Sequence, residues 1–108
     1  MVSYFMIGCP FCDIQEPVLI RNQHALAIGD KNQISVGHSL IIPSVHAESI
    51  FALSLADYQA CFELLRALKE RLEASYSPAG FNVIVNSGKA AGQTIDHAHI
   101  HLVPRYAA

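Results

Sequence analysis

Residues 96–105 read DHAHIHLVPR, with His97, His99 and His101 at every second position and Ala98, Ile100 and Leu102 between them. A β-strand sends successive side chains to opposite faces, so residues two apart stand side by side, roughly 6.5–7 Å from one another. A helix would scatter the three imidazoles around its circumference. The segment therefore reads as a strand. Its histidines line one solvent-accessible face, and Ala98, Ile100 and Leu102 turn the other way onto an apolar partner.

That partner is the segment SLADYQACFELLRALKERLEASY at 54–76. Tyr58, Cys61, Phe62, Leu65, Leu68, Leu72 and Tyr76 fall at helical spacing and define its apolar face. Ser54 can cap the helix, with Asp57 three positions on as a weaker form of the capping box. Arg66 with Glu70, and Lys69 with Glu73, decorate the other side. Ser77, Pro78 and Gly80 end it. Upstream, VLIRN and HALAI form a hairpin region broken at Asn22 and Gln23. The polar loop GDKNQISVG follows, then the apolar run SLIIP, stopped by Pro43. Downstream, FNVIVN at 81–86 is rich in β-branched residues, and the loop SGKAAGQTI leads into the histidine strand. Strands, one long helix and further strands, without repeated βαβ units, predict an α+β fold on an antiparallel sheet.

At 108 residues the chain reads as a single domain, 1–108, able to bury a modest core. With 52% apolar and 15% charged residues it should fold. A net charge of −2 and the lack of a Lys/Arg run argue against a nucleic acid polymer as partner, though not against a single nucleotide. No apolar segment approaches the ~18 residues of a membrane span. The start, MVSYFMIGCPFC, lacks a basic leader with a small-residue cleavage site, and three cysteines fit a reducing compartment. These features predict a cytoplasmic protein.

Three imidazoles on an accessible sheet face add little stability, since Val or Thr would pack better there. Near neutral pH an imidazole is a base, an acid, a nucleophile or a metal ligand. The residues alone leave three readings open: surface histidines without a role, a metal site built on alternating His, and a nucleophile with imidazole helpers. Cys9 and Cys12 are similarly open, as a redox pair, two buried thiols or half of a structural zinc site. The thioredoxin-like βαβ context is missing. The fragment GKAAGQT lacks the closing Gly-Lys-Ser/Thr and the following helix of a P-loop.

The segment GQTIDHAHIHLVPRY resembles the signature of the histidine triad (HIT) superfamily, His-x-His-x-His followed by apolar residues. CPFC, VGHSLIIPSVH, the placement of the long helix and FNVIVNSGKAAGQT resemble family segments in the same order, over nearly the whole chain. The resemblance is closest to short bacterial HIT hydrolases, and the GQT and PR pairs resemble the dinucleoside polyphosphate hydrolase branch. It implies a sheet of about five antiparallel strands with one long and one short helix, and commonly a homodimer.

It also implies a nucleotide hydrolase or transferase. His99 would attack the α-phosphorus and form a nucleotidyl-histidine, splitting one hard displacement into two easier ones. His101 would contact the phosphoryl oxygens and assist proton transfer. By the same resemblance Gly92, Gln93, Thr94 and Asn86 surround the phosphate, Asp30 holds the ribose, and apolar residues near Ile28 and Ile42 line the nucleoside pocket. Cys9, Cys12, His46 and His97 would complete a structural zinc site. A zinc hydrolase with the triad as its catalytic metal site, and a nucleotide-binding protein without turnover, are the alternatives. Cys61 is expected in the core, and His24 and His38 at exposed positions without a role.

Overall fold

The computed structural model describes residues 2, 3 and 5–107. A short strand β1 (Val2–Ser3) pairs with β5 (His46–Ala47) in a two-stranded ladder. The main sheet is antiparallel and runs in the order β2 (Val18–Arg21), β3 (Ala25–Gly29), β4 (Ser39–Pro43), β7 (Ile100–Arg105), β6 (Gly80–Ile84). The helix α1 (Leu55–Tyr76) packs on one face. In place of the expected short helix there are two single turns of 3₁₀-helix, Ile50–Ala52 and Lys89–Ala91. The α+β class and five-strand sheet are as the sequence predicts.

Strand β4 explains the layering. Every one of its residues is buried, because both faces of the sheet are covered at this point. Ile41 turns toward α1 with Ala25, Ala27, Ile100 and Leu102, against Cys61, Leu64, Leu68 and Leu72. Leu40 and Ile42 turn the other way, with Ile28, and meet Cys9 and Phe11 from the N-terminal segment. The register Leu40↔His101 and Ile41↔Ile100 carries the same alternation into β7. Even-numbered β4 residues thus share a face with His101, and Ile100 and Leu102 share the helix face.

The helix begins and ends where its caps require. Ser54 Oγ accepts from the Asp57 amide and donates to its carboxylate, satisfying one of the free first-turn amides. Ser77 closes the helix in a left-handed conformation, φ 49°, and Pro78 cannot continue it. The buried stripe differs from the expected one. It runs through Ala60, Cys61, Leu64, Leu68 and Leu72, whereas Phe62 and Tyr76 are each 46% exposed. Tyr58 and Leu65 flank it half-buried. Both stripes have helical spacing, so spacing alone left the rotation open by one flank. Cys61 lies in the core as expected, and burial pushes its thiol up to about 12.

Candidate active site

The triad is not wholly on a strand. Strand β7 starts at Ile100; His97 closes a bend, its amide 2.9 Å from the Ile95 carbonyl, and His99 lies between that bend and the strand, with the Ala98 amide tied to the Ala47 carbonyl of β5 at 2.7 Å. The three rings consequently face different partners rather than one open surface.

His97 is fully buried. Its Nε2 lies 2.9 Å from the Pro43 carbonyl oxygen, an acceptor only, so Nε2 carries the proton and Nδ1 keeps its lone pair. That lone pair faces Cys9 Sγ at 3.3 Å and Cys12 Sγ at 3.6 Å. Cys12 Sγ is also 3.3 Å from His46 Nδ1. Donor atoms of Cys9, Cys12, His46 and His97 all lie within 4.8 Å of one another. A tetrahedral zinc with two thiolates and two imidazoles sets its donors roughly 3.3–3.8 Å apart. The donor chemistry, the spread and the Nε2 bond that orients His97 all fit such an ion.

His99, also buried, places Nδ1 2.7 Å from the His97 carbonyl oxygen. Nδ1 must donate there, which leaves the Nε2 lone pair free. The ring packs edge-on against Phe11 at 5.2 Å and against His101 at 5.1 Å. It borders a cavity of about 260 Å³ whose lining includes Asp30, Thr94 and His101 together with the apolar Phe11, Ile28, Leu40 and Ile95. A second, more open hollow of about 450 Å³ lies over Cys9 and His46 and shares Pro10, Thr94 and Ile95 with the first.

The sequence-derived residues divide in this geometry. His99, His101, Thr94 and Asp30 border one cavity, with Ile28 as expected. Ile42 lies behind it in the core, and Leu40 takes the position expected for it. His97 is not among the residues that line the cavity and bears on it through the bond from His99 Nδ1 to its carbonyl. Gln93 is buried and already engaged: its amide nitrogen donates to the Glu48 and Ile95 carbonyls at 2.6 and 2.9 Å, and its Oε1 accepts from the Gly88 amide at 2.8 Å. It fastens the loop and has no side-chain N–H left for a phosphate. Gly92 ends the Lys89–Ala91 turn at φ 95°, a conformation that favours glycine. Asn86 stands beside it, 3.7 Å from where a Cβ would be.

His38 is the largest departure from expectation. It is 2% exposed rather than a surface residue, with Nε2 3.0 Å from His101 Nδ1 and 3.3 Å from Asp30 Oδ2. Asp30 Oδ2 is 3.7 Å from His101 Nδ1. The signal was in the sequence: His38, Leu40 and Ile42 alternate as the triad does. Without the pairing of β4 with β7, nothing showed that the two rows share a face. Phe11 was missed because CPFC reads first as a cysteine motif. His24 is half-exposed, 3.5 Å from Asp57.

Burial is the main cause that holds the His38, His97 and His101 rings below the ordinary imidazole range. The Asp30 carboxylate opposes this at His38 and His101, and the Pro43 carbonyl opposes it at His97. These three rings are therefore held in the neutral form near pH 7.

A sheet with this order, a row of alternating imidazoles and one ring whose Nδ1 is held by a backbone carbonyl beside a cavity define a histidine-triad protein. The chain belongs to the HIT family: residues 12–108 match the HIT domain. It superposes on a HIT family protein from Bacillus anthracis with a TM-score of 0.88 at 37% identity, over 94% of this chain and 75% of that one. It is 34% identical to adenosine 5'-monophosphoramidase hnt1 of Schizosaccharomyces pombe over 92% of this chain and 75% of the relative. It is 35% identical to adenylylsulfatase HINT3 of Arabidopsis thaliana, over 90% of this chain and 52% of the relative.

Proposed function

We propose that the protein is a nucleotide hydrolase or transferase that cleaves at the α-phosphate of nucleoside phosphate derivatives, with His99 as the nucleophile. One observation carries this reading. The His97 carbonyl holds the His99 Nδ1 proton at 2.7 Å, so the Nε2 lone pair stands ready beside the cavity. In the first step an Nε2–P bond forms as the bond from phosphorus to the leaving group breaks. In the second, water attacks phosphorus and gives up a proton to solvent, the N–P bond breaks with its electron pair returning to Nε2, and the nucleoside monophosphate leaves. A neutral imidazole is both a competent nucleophile and a good leaving group from phosphorus. Thr94 offers a hydroxyl to the phosphoryl oxygens, Asp30 an acceptor to ribose hydroxyls, and Phe11, Ile28 and Leu40 an apolar seat for the base. Phosphoryl transfer asks the protein mainly for such positioning and charge stabilisation.

Named relatives break a phosphoramide or a sulfate anhydride at adenylate, which supports a nucleotidyl group as the common part of the substrate. We infer the same for this chain, with nucleoside phosphoramidates and dinucleoside polyphosphates as the substrates to try. Steady-state assays on adenosine phosphoramidate, adenylyl sulfate and diadenosine polyphosphates test it. Release of the nucleoside monophosphate from at least one of them supports the reading, and inertness toward all three contradicts it. A catalytic zinc on the triad finds no support in the geometry: among the described residues the donor atoms that cluster within 4.8 Å are those of Cys9, Cys12, His46 and His97 and those of Asp30, His38 and His101, and neither set joins the three triad rings.

We further propose a structural zinc on Cys9, Cys12, His46 and His97. It would pin the N-terminal segment to the sheet and hold His97, whose carbonyl orients His99. One zinc per chain by metal analysis, and a fall in Tm on chelation, are expected. A second copy of the chain is proposed to pair along β6, which is an edge strand with Val83 49% exposed. Nearby apolar Phe51 and Leu55 are 78% and 85% exposed, and Ser49 and Ser87 link their segment to the end of β6 at 2.7 Å. Among the described residues no helix is long and apolar enough to cross a membrane. A cytoplasmic setting agrees with three free cysteines.

A further inference from the structure

Besides its histidines, the cavity beside His99 is lined by two carboxylates, Glu16 and Asp30, and by the ammonium of Lys31. Asp30 is held in place: its Oδ1 accepts from the Asn32 amide at 2.9 Å, and its Oδ2 faces His38 Nε2 at 3.3 Å. Glu16 and Lys31 stand differently. Glu16 Oε2 lies 3.7 Å from Lys31 Nζ, and Glu16 Oε1 accepts from the Gln15 amide at 3.1 Å. A charge-assisted hydrogen bond would close to about 2.7–2.9 Å. The two are therefore opposite charges side by side, and each keeps hydrogen-bonding sites that these contacts do not use.

Such a pair is a poor seat for an anion, which Lys31 attracts and Glu16 repels at nearly the same place. It suits a neutral group that presents donors and an acceptor along one edge. With phosphorus at His99 and the ribose hydroxyls at Asp30, the base is the part of a nucleotide left for the remaining lining. Phe11 and Ile28 offer apolar surface to its flat faces, and Glu16 and Lys31 are the charged groups available to its edge.

We propose that Glu16 and Lys31 read the edge of the base and give the site a preference for guanine. This rests on the reading of the cavity as the nucleotide site. Guanine presents N2–H, N1–H and the O6 carbonyl in a row, two donors beside an acceptor. The Glu16 carboxylate accepts from both N–H groups, and the Lys31 ammonium donates to O6. In the same pose adenine reverses the polarity at both places. Its N1 lone pair faces the carboxylate, and its amino group at position 6 faces the ammonium. Hypoxanthine keeps N1–H and O6 but lacks the 2-amino group, so it loses one of the three bonds.

Titration calorimetry with GMP, IMP and AMP tests the edge without any turnover. GMP should bind about tenfold tighter than AMP, with IMP between them, the scale of one good base-edge pair at a partly exposed site. Glu16→Gln sets an amide N–H against a base N–H, and should bring GMP and AMP to similar affinity. Lys31→Met should weaken GMP and IMP by the same factor and leave AMP no weaker. Lys31 is exposed and Glu16 only partly buried, so both variants should keep the wild-type Tm. Equal binding of GMP and AMP by the wild-type protein overturns the proposal and leaves the nucleotide reading standing. So does a Glu16→Gln protein that binds all three more weakly but in the wild-type ratio, since Glu16 would then serve the fold alone. Failure of all three to bind contradicts both readings together.

Discussion

Strands β4 and β7 each carry two surfaces of opposite character. Toward α1, Ile41, Ile100 and Leu102 pack on Cys61, Leu64 and Leu68. Toward the N-terminal segment, the alternate positions His38 and His101 hold fixed hydrogen bonds beside the apolar Leu40. The helix face stabilises by burial, roughly 1.5–3 kcal/mol for each large side chain. The cavity face gains little from its imidazoles and keeps them neutral through that same burial. Rigidity on one side is what lets proton positions be specified on the other, since a ring fixes a tautomer only if its partners do not move.

Exchanging residues on the two faces should separate chemistry from stability. The largest effect belongs to His99→Asn, which should cut turnover at least about a thousandfold while urea unfolding moves little. Wild-type-like turnover would remove the nucleophile assignment. On the helix face the pattern inverts. Leu68→Ala should cost about 2–5 kcal/mol in chemical denaturation, with kcat per folded molecule unchanged at low temperature. A Leu68→Ala protein that is stable but slow would show that the two faces are not separable.

A finer probe is pH. His38 and His101 stay neutral in the fold below the ordinary imidazole value of 6.5, where the unfolded chain has already bound protons. The unfolded state therefore gains protons first, and stability falls as pH drops below about 6.5. Unfolding midpoints at a series of pH values should show a plateau above neutrality and a decline beneath it. His38→Gln should flatten part of that decline, and an unchanged slope would place the titration elsewhere. The smallest effect lies far from both faces. Ser77→Gly removes a left-handed Cβ at the helix end and should add a few tenths to about 1 kcal/mol.

The period-two row at 97–101 and the helix at 54–76 were legible because each is local: one follows from the pleat, the other from a 3.6-residue stripe and a cap. The Cys9, Cys12, His46 and His97 cluster and the cavity membership of Asp30 and Thr94 were legible only through likeness to the HIT family, since they depend on contacts across tens of residues. His38 was missed for that reason, although it belongs to the same alternation as Leu40 and Ile42. Phe62 was misplaced because a stripe offset by one flank satisfies helical spacing equally well. Gln93 is placed at the phosphate by the same likeness. Only the fold reveals that Glu48 and Ile95 have already taken both amide protons.

The most direct test is rapid quenching during turnover of a nucleoside phosphoramidate, followed by peptide mass spectrometry under alkaline conditions that preserve phosphorus–nitrogen bonds. A nucleotidyl group on the His99 peptide, formed and lost at rates consistent with kcat and absent from His99→Asn, is the expected result. Steady hydrolysis with that peptide unmodified at every time point would mean that water attacks directly and that His99 is not the nucleophile.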